Sequence, residues 1–231
     1  MKTLGMLGGM SWESTTSYYQ HLNRLARSRL GGRHSAKLLI WSADFAAIAE
    51  LQEADRWEEA GDILAAAAQG LEAAGAEAIL ICANTMHLVE PQVRAAVGVP
   101  VLHVADATAG AVRLSGRRSP LLLATRFTME RDFYRDRLVE LGLTPVIPPL
   151  AEREALHAII FDELVQGRIE PASRAVVAEI ARRVVAEDGA DSVILGCTEF
   201  SLLVGPADFS VPVFDTTEIH ALMAMDFALA V

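Results

Sequence analysis

The sequence predicts an α/β fold, because short aliphatic runs alternate with longer segments of helical period along the chain. Leu22, Ala26 and Leu30, for example, fall on one face of a helix. Gly75 follows such a segment, where a left-handed C-terminal cap is expected. This alternation is typical of a parallel sheet covered by helices. The candidate strands are residues 3–7, 37–41, 78–82, 99–103, 120–124, 144–147, 192–195 and 211–214.

Composition excludes several classes of protein. The 231 residues are 52% hydrophobic and 22% charged, which suits one large domain or two smaller ones. A formal charge of -10 without a Lys/Arg-rich run argues against nucleic-acid binding. No apolar run reaches about 18 residues and no signal-peptide pattern opens the chain, so we expect neither membrane association nor secretion. Two cysteines then predict reduced thiols in the cytoplasm.

A faint internal repeat predicts two related lobes. Segments 75–82 and 189–197 share a helix end, Gly-Ala-acid, an aliphatic run and a cysteine. We place the crossings between lobes near Gly98 and Pro212. The predicted first lobe is residues 1–98 plus 212–231, and the second is residues 99–211.

The glycines after the first strand do not match a dinucleotide site. Gly5, Gly8 and Gly9 miss the spacing of that fingerprint, and no phosphate-binding lysine follows them. Ser11 and Thr15 open a helix whose free amides can hold a carboxylate. A tight turn with a Ser or Thr cap is the alternative.

Each cysteine follows a candidate strand and precedes small polar residues. Cys82 and Cys197 therefore lie at the sheet edge where α/β proteins bind ligands. A following helix N-terminus is expected to lower the pKa of each thiol. Asn84, Thr85 and Thr198 offer donors to a substrate carboxylate. A lone cysteine is usually structural, but a pair at matching positions favours function.

Metal binding is a competing use of these residues. Cys82, His87 and Cys197 lack the spacing of zinc ligands, so we predict no metal. We assign the other histidines to ordinary structure: His21, His34, His103, His157 and His220.

Residues 126–137 alternate arginines and acids, which indicates a solvated helix face after a Thr128 cap. Thr125 and Thr128 occupy the turn that matches the first glycine turn. We expect these two threonines to line the site.

Four motifs resemble the aspartate/glutamate racemase family: residues 8–15, 82–87, 196–199 and 215–220. The resemblance covers essentially the whole chain. It implies two pseudo-symmetric flavodoxin-like lobes with the active site in the cleft between them, often in a homodimer. It also implies cofactor-independent racemisation of an amino acid, with Cys82 and Cys197 as the catalytic pair.

The chain departs from that family at two positions. Better-characterised aspartate racemases use an Arg and a Lys on substrate carboxylates, but segments 42–52 and 161–168 have no cation where those two align. Gln52 is a neutral replacement. The candidate substrate contacts are Met10, Ser11, Gln52, Ala83, Asn84, Thr85, Thr125, Thr128, Thr198 and Glu199.

Three functions remain open. Two thiols on opposite faces of Cα can invert a stereocentre, which favours a racemase for aspartate, glutamate or a related amino acid. Isomerisation or decarboxylation of a small diacid, and a non-catalytic small-molecule sensor, are the alternatives. Pyridoxal phosphate is not expected, since Lys2 and Lys37 both precede strands, at the wrong sheet edge for its Schiff base.

Overall fold

The structure, a computed structural model that describes residues 1–230, divides into two units. The first unit comprises Met1–Val104 and the C-terminal segment from His220, and the second comprises Ala105–Ile219. Each is a parallel sheet accompanied by helices, which confirms the predicted α/β class. No helix among residues 1–230 is both long and apolar enough to cross a membrane.

The first sheet consists of β1 (Leu4–Gly8), β2 (Leu38–Ser42), β3 (Ala78–Ile81) and β4 (Val101–Leu102). Its order is β2-β1-β3-β4, with every pair parallel. Leu4 lies opposite both Leu38 and Ala78, so β1 and β3 end side by side. This order is that of a flavodoxin-like sheet.

The second sheet consists of β5 (Pro120–Leu123), β6 (Ser192–Leu195) and β7 (Val213–Asp215), in the order β5-β6-β7. The predicted strand at 144–147 is wrong: Val146 alone forms a parallel bridge to Leu121. Prolines at 148–149 lack an N–H and cannot extend the ladder. The bridge lies beside β5 as β2 lies beside β1, so the two topologies correspond.

The unit boundaries lie C-terminal to the predicted crossings at Gly98 and Pro212. The units divide after Val104 and after Ile219. Pairing explains both differences, because β4 hydrogen-bonds to β3 of the first sheet and β7 to β6 of the second.

Helices follow nearly every strand. They are α1 (Trp12–Leu30), α2 (Phe45–Glu53), α3 (Trp57–Ala73), α4 (Glu90–Ala96), α5 (Val104–Leu114), α6 (Arg126–Glu130), α7 (Asp132–Glu140), α8 (Leu150–Ala158), α9 (Pro171–Glu187), α10 (Phe200–Leu203) and α11 (Thr216–Leu229). Short turns of other helix types cover Thr85–Val89, Ile159–Glu163, Leu164–Gln166 and Pro206–Asp208.

The core of the first unit lies on both faces of its sheet. Leu7, Ile79 and Ile81 belong to one buried cluster. Leu4 and Leu80 belong to the cluster on the other face. Because successive strand residues point to opposite faces, β3 can be aliphatic throughout and still bury every side chain.

Glycine is required where β1 ends. Gly9 has φ = 82°, and a Cβ there would lie 2.3 Å from the backbone nitrogen of Ala43. A Cβ at Gly8 would lie 2.6 Å from the Thr15 side chain. These glycines therefore let the first helix and the β2 end approach the strand closely.

We expect Gly9→Ala to lower the free energy of unfolding by about 2–4 kcal/mol, from positive φ and backbone overlap together. Gly110→Ala is the matched control, because a Cβ at Gly110 meets nothing within 4 Å in α5. That helix-interior change should raise stability by about 0.5–1 kcal/mol. Urea denaturation of both variants measures the difference, and equal stabilities would contradict the strained turn.

Candidate active site

The loop after β1 is held by hydroxyl groups. Thr15 Oγ1 accepts a hydrogen bond from the Gly9 N–H (2.8 Å) and donates one to the Ser11 carbonyl (3.0 Å). Ser11 caps α1, accepting from the Ser14 N–H at 3.4 Å. Met10, between them, packs in the core rather than on the surface. The loop is thus fixed, with the N-terminus of a 19-residue helix behind it.

Cys82 follows β3 and is fully buried. Its backbone N–H donates to the Leu7 carbonyl at 2.9 Å, which continues the parallel ladder by one residue beyond β3. The next three residues are Ala83, Asn84 and Thr85, which are also buried. Sequence and structure agree that this thiol lies at the carboxyl edge of the first sheet.

His87 fastens the Cys82 loop. Its Nδ1 lies 3.0 Å from the Ala83 carbonyl, and its Nε2 accepts from the Val104 N–H at 3.3 Å. Since Nε2 accepts, Nδ1 carries the proton and the ring is neutral. Burial lowers the pKa of His87 well below its usual value, and His103 and His220 lower it further. His87 therefore acts as an uncharged clamp.

A second histidine extends this network. His220 Nε2 donates to the Leu102 carbonyl at 2.7 Å, and Tyr18 Oη lies 2.9 Å from His220 Nδ1. The His87 ring lies 4.6 Å from the His103 ring and 5.9 Å from the His220 ring, between centroids. These residues share no common spacing along the chain, and only the fold brings them together.

Gln52 lies beside the Cys82 loop. Its side chain is buried, and Nε2 is 3.0 Å from the sulfur of Met86. In the first unit the fold thus gathers residues of the loops after β1 and β3 with one residue of α2. This set is Met10, Ser11, Gln52, Cys82, Ala83, Asn84 and Thr85.

Cys197 follows β6 after one glycine. The Gly196 N–H donates to the Leu123 carbonyl at 2.7 Å, and a Cβ on Gly196 would lie 2.7 Å from Leu122 Cδ1. Cys197 Sγ donates to Glu199 Oε2 at 2.9 Å, and Thr198 Oγ1 donates to the same oxygen at 2.8 Å. The predicted substrate contact Glu199 is therefore hydrogen-bonded to the thiol itself.

The predicted Thr128 cap is wrong. Thr125 caps α6, and its Oγ1 accepts from the Thr128 N–H at 3.2 Å. The chain also breaks at Arg131, where α6 ends and α7 begins, so 126–137 is not one helix face. The second unit gathers Thr125, Thr128, Cys197, Thr198 and Glu199 at the loops after β5 and β6.

The expected lowering of the thiol pKa values is also wrong. Burial raises the pKa of Cys82 far above its usual value. Burial raises that of Cys197 as well, and the Glu199 carboxylate raises it further. The helical segments that follow have five and four residues, Thr85–Val89 and Phe200–Leu203, so their dipoles do not overcome desolvation.

Within residues 1–230, no group of three or more His, Cys, Asp or Glu side chains is placed to hold a metal ion. Both cysteines are free thiols. The site residues instead combine a buried thiol with hydroxyl and amide groups in each unit. Such groups can transfer a proton and hold a carboxylate.

Comparison with known proteins identifies the family to which this chain is similar. The family model for Asp/Glu/hydantoin racemase matches residues 7–224. A Yersinia pestis protein, provisionally described as an Asp/Glu racemase, is 47% identical, with full coverage of both chains and a TM-score of 0.92. An aspartate racemase homologue from Pyrococcus horikoshii is 38% identical, again with full coverage of both chains and a TM-score of 0.86.

A curated glutamate racemase from Shewanella loihica is 29% identical over 128 residues. That match spans 54% of this chain and 45% of the relative, less than half of its length. The family match extends over most of the chain, and the two solved structures extend over all of it. The chain therefore belongs to the Asp/Glu/hydantoin racemase family of isomerases.

Proposed function

We propose that this protein is a cofactor-independent amino-acid racemase in which Cys82 and Cys197 transfer the α-proton. The substrate is aspartate, glutamate or a related amino acid. One observation carries the proposal: the corresponding strands β3 and β6 each lead into a buried free cysteine among hydrogen-bonding groups. Membership of the racemase family supports it.

The reaction needs a base on one face of Cα and an acid on the other. A thiolate removes the α-proton and becomes a thiol, leaving a carbanion conjugated with the carboxylate. The opposite thiol then donates its proton to Cα and becomes the thiolate. The two cysteines exchange roles with each inversion, so protons and charge balance without a cofactor.

The two thiols differ in their neighbours, and this difference indicates which of them loses its proton more easily. Both are desolvated, but only Cys197 also faces a carboxylate, that of Glu199. A second negative charge beside Glu199 is unfavourable, so Cys197 retains its proton more strongly. Of the two thiols, we therefore assign Cys82 as the one that loses its proton more easily and acts first as the base, with Cys197 as the acid.

Fixed donors supply the remaining stabilisation. The charge that develops in the transition state lies on the substrate carboxylate, where preorganised donors are most effective. Ser11, Asn84 and Thr85 are buried polar residues in the first unit. We assign them, with the Thr198 backbone, to this carboxylate.

The lysine placement supports a mechanism without pyridoxal phosphate. Lys2 lies two residues before β1 and Lys37 directly precedes β2, so both are at the amino ends of these strands. The proposed site lies at the carboxyl ends.

We also propose, from the family resemblance, that the protein is a cytoplasmic homodimer. Light scattering of the purified chain measures that stoichiometry.

Solvent exchange tests the two-thiol reaction. In D2O, we expect aspartate or glutamate to gain α-deuterium while its chirality equilibrates. Cys82→Ser and Cys197→Ser should each lower the racemisation kcat/KM by about 10²–10⁴-fold, because one proton-transfer group is lost. Each single variant should exchange only the enantiomer that its remaining thiol faces.

Racemisation has an equilibrium constant of one, so kcat/KM is equal in the two directions and does not show which enantiomer each thiol faces. Exchange of the α-proton from a single enantiomer does show it. Denaturation midpoints near that of the parent chain serve as the folding control. If no acidic or neutral amino acid exchanges its α-proton, or if either serine variant keeps full activity, the proposal fails. Turnover of a small diacid without racemisation would favour the isomerase alternative.

Alkylation tests the role of Glu199. In a Cys82→Ser background, iodoacetamide reports Cys197 alone. We expect Glu199→Gln to shift the pH dependence of this alkylation to lower pH, since removing the carboxylate lowers the pKa of the thiol. Glu187→Gln, an exposed change of the same charge, is the control. An unchanged profile, or a shift to higher pH, would contradict the assignment of resting roles.

A further inference from the structure

An acidic substrate has a second carboxylate, and the chain needs a cation to hold it. The loops after the strands carry two acidic residues, Asp44 and Glu199, and a third, Asp215, ends β7. Within residues 1–230, Arg126 is the only Lys or Arg in the loops after β1–β7 or in the first turns of the helices that follow. Among residues 1–230, Arg126 is therefore the basic residue that lies at the sheet edge of the proposed site.

Strand register places the turn that carries Arg126 beside the loop that carries Cys197. Leu123 lies opposite Leu195 in the parallel β5–β6 pair, and neighbouring strands are about 4.8 Å apart. Thr125 and Cys197 each lie two residues beyond these partners, and Arg126 follows Thr125. A guanidinium on this turn is within reach of a small ligand held at Cys197.

The Arg126 side chain is exposed and makes no ion pair among residues 1–230. Several other arginines of the second unit are already paired, for example Arg137 with Asp106 and Arg183 with Glu152. The Arg126 guanidinium carbon lies 5.6 Å from the centroid of the Phe127 ring. Binding a ligand carboxylate would therefore break no existing ion pair.

His157 supports the backbone of this turn. Its Nδ1 accepts from the Arg126 N–H at 3.4 Å, and its ring packs against Phe127 and Phe161. Burial lowers the pKa of His157, and the Arg126 charge lowers it further. The imidazole is then neutral at pH 7, so Arg126 provides the positive charge of this turn.

We propose that Arg126 binds the side-chain carboxylate of the substrate and makes the enzyme selective for dicarboxylic amino acids. A guanidinium offers paired N–H donors that match a carboxylate. Arg168, the cation of segment 161–168, is less suited because its guanidinium donates to the Asp162 carbonyl. The inference rests on the proposed racemase function and adds its specificity residue.

The test compares L-aspartate with L-asparagine, which replaces the side-chain carboxylate by an amide of similar size. We expect Arg126→Gln to raise KM for aspartate and to lower the aspartate-over-asparagine ratio of kcat/KM by about 10- to 100-fold, the value of a charge-assisted hydrogen bond. Arg126→Lys should restore part of that ratio. Arg113→Gln, in the last turn of α5, makes the same charge change before β5 and should leave the ratio unaltered.

The outcomes separate this inference from the proposed function. If the parent chain racemises aspartate and Arg126→Gln keeps the parent ratio, Arg126 is not the specificity residue, although the racemase stands. A parent chain that prefers asparagine over aspartate also overturns the inference. Absence of exchange with every amino acid instead overturns the proposed function. If both Arg113→Gln and Arg126→Gln lower the aspartate-over-asparagine ratio of kcat/KM, the effect comes from long-range charge. A direct contact between Arg126 and the substrate carboxylate is then rejected.

Discussion

Parallel pairing between two neighbouring strands in each unit sets the position of everything in the candidate site. The Cys82 N–H bonds to Leu7 and the Gly196 N–H bonds to Leu123, so each ladder continues past the assigned strand to the thiol or its neighbour. A slip of one residue would turn the side chains to the opposite face. Every residue of β3 and β6 is buried, so the fit of individual side chains in the close-packed core distinguishes this register from a slipped one. The reactive groups therefore depend on the hydrophobic cores for their placement.

The fold class was predictable because it follows from one-dimensional patterns. Short, mainly apolar runs predicted every strand, and the repeated Gly-Ala-acid joint predicted the corresponding ones, β3 and β6. The exception was residues 144–147, where composition indicated a strand but the prolines that follow allow only one bridge. The prolines that decide this case lie outside the segment whose composition indicated a strand. The crossings at Val104 and Ile219 depend on pairing partners, which no local pattern contains.

The electrostatics of the site were not predictable, because they depend on depth and on contacts. The sequence placed helix N-termini after both cysteines, which indicated lowered thiol pKa values. Burial reverses the sign, and the Cys197–Glu199 hydrogen bond adds to the reversal. The hydrogen bonds of His87 with Ala83 and Val104 were not predictable for the same reason, because they form only in the fold. Residue types were informative about chemistry, whereas protonation required the structure.

The formal charge of -10 is compatible with an acidic substrate once distance is considered. Salt screens exposed charges beyond about 8 Å, so distant surface carboxylates contribute little to the potential at a small site. Nearby groups dominate: Glu199 is engaged by the Cys197 thiol and the Thr198 hydroxyl, and Arg126 lies on the neighbouring strand end. One guanidinium on the turn next to the Cys197 loop can therefore make a local anion site within an acidic protein.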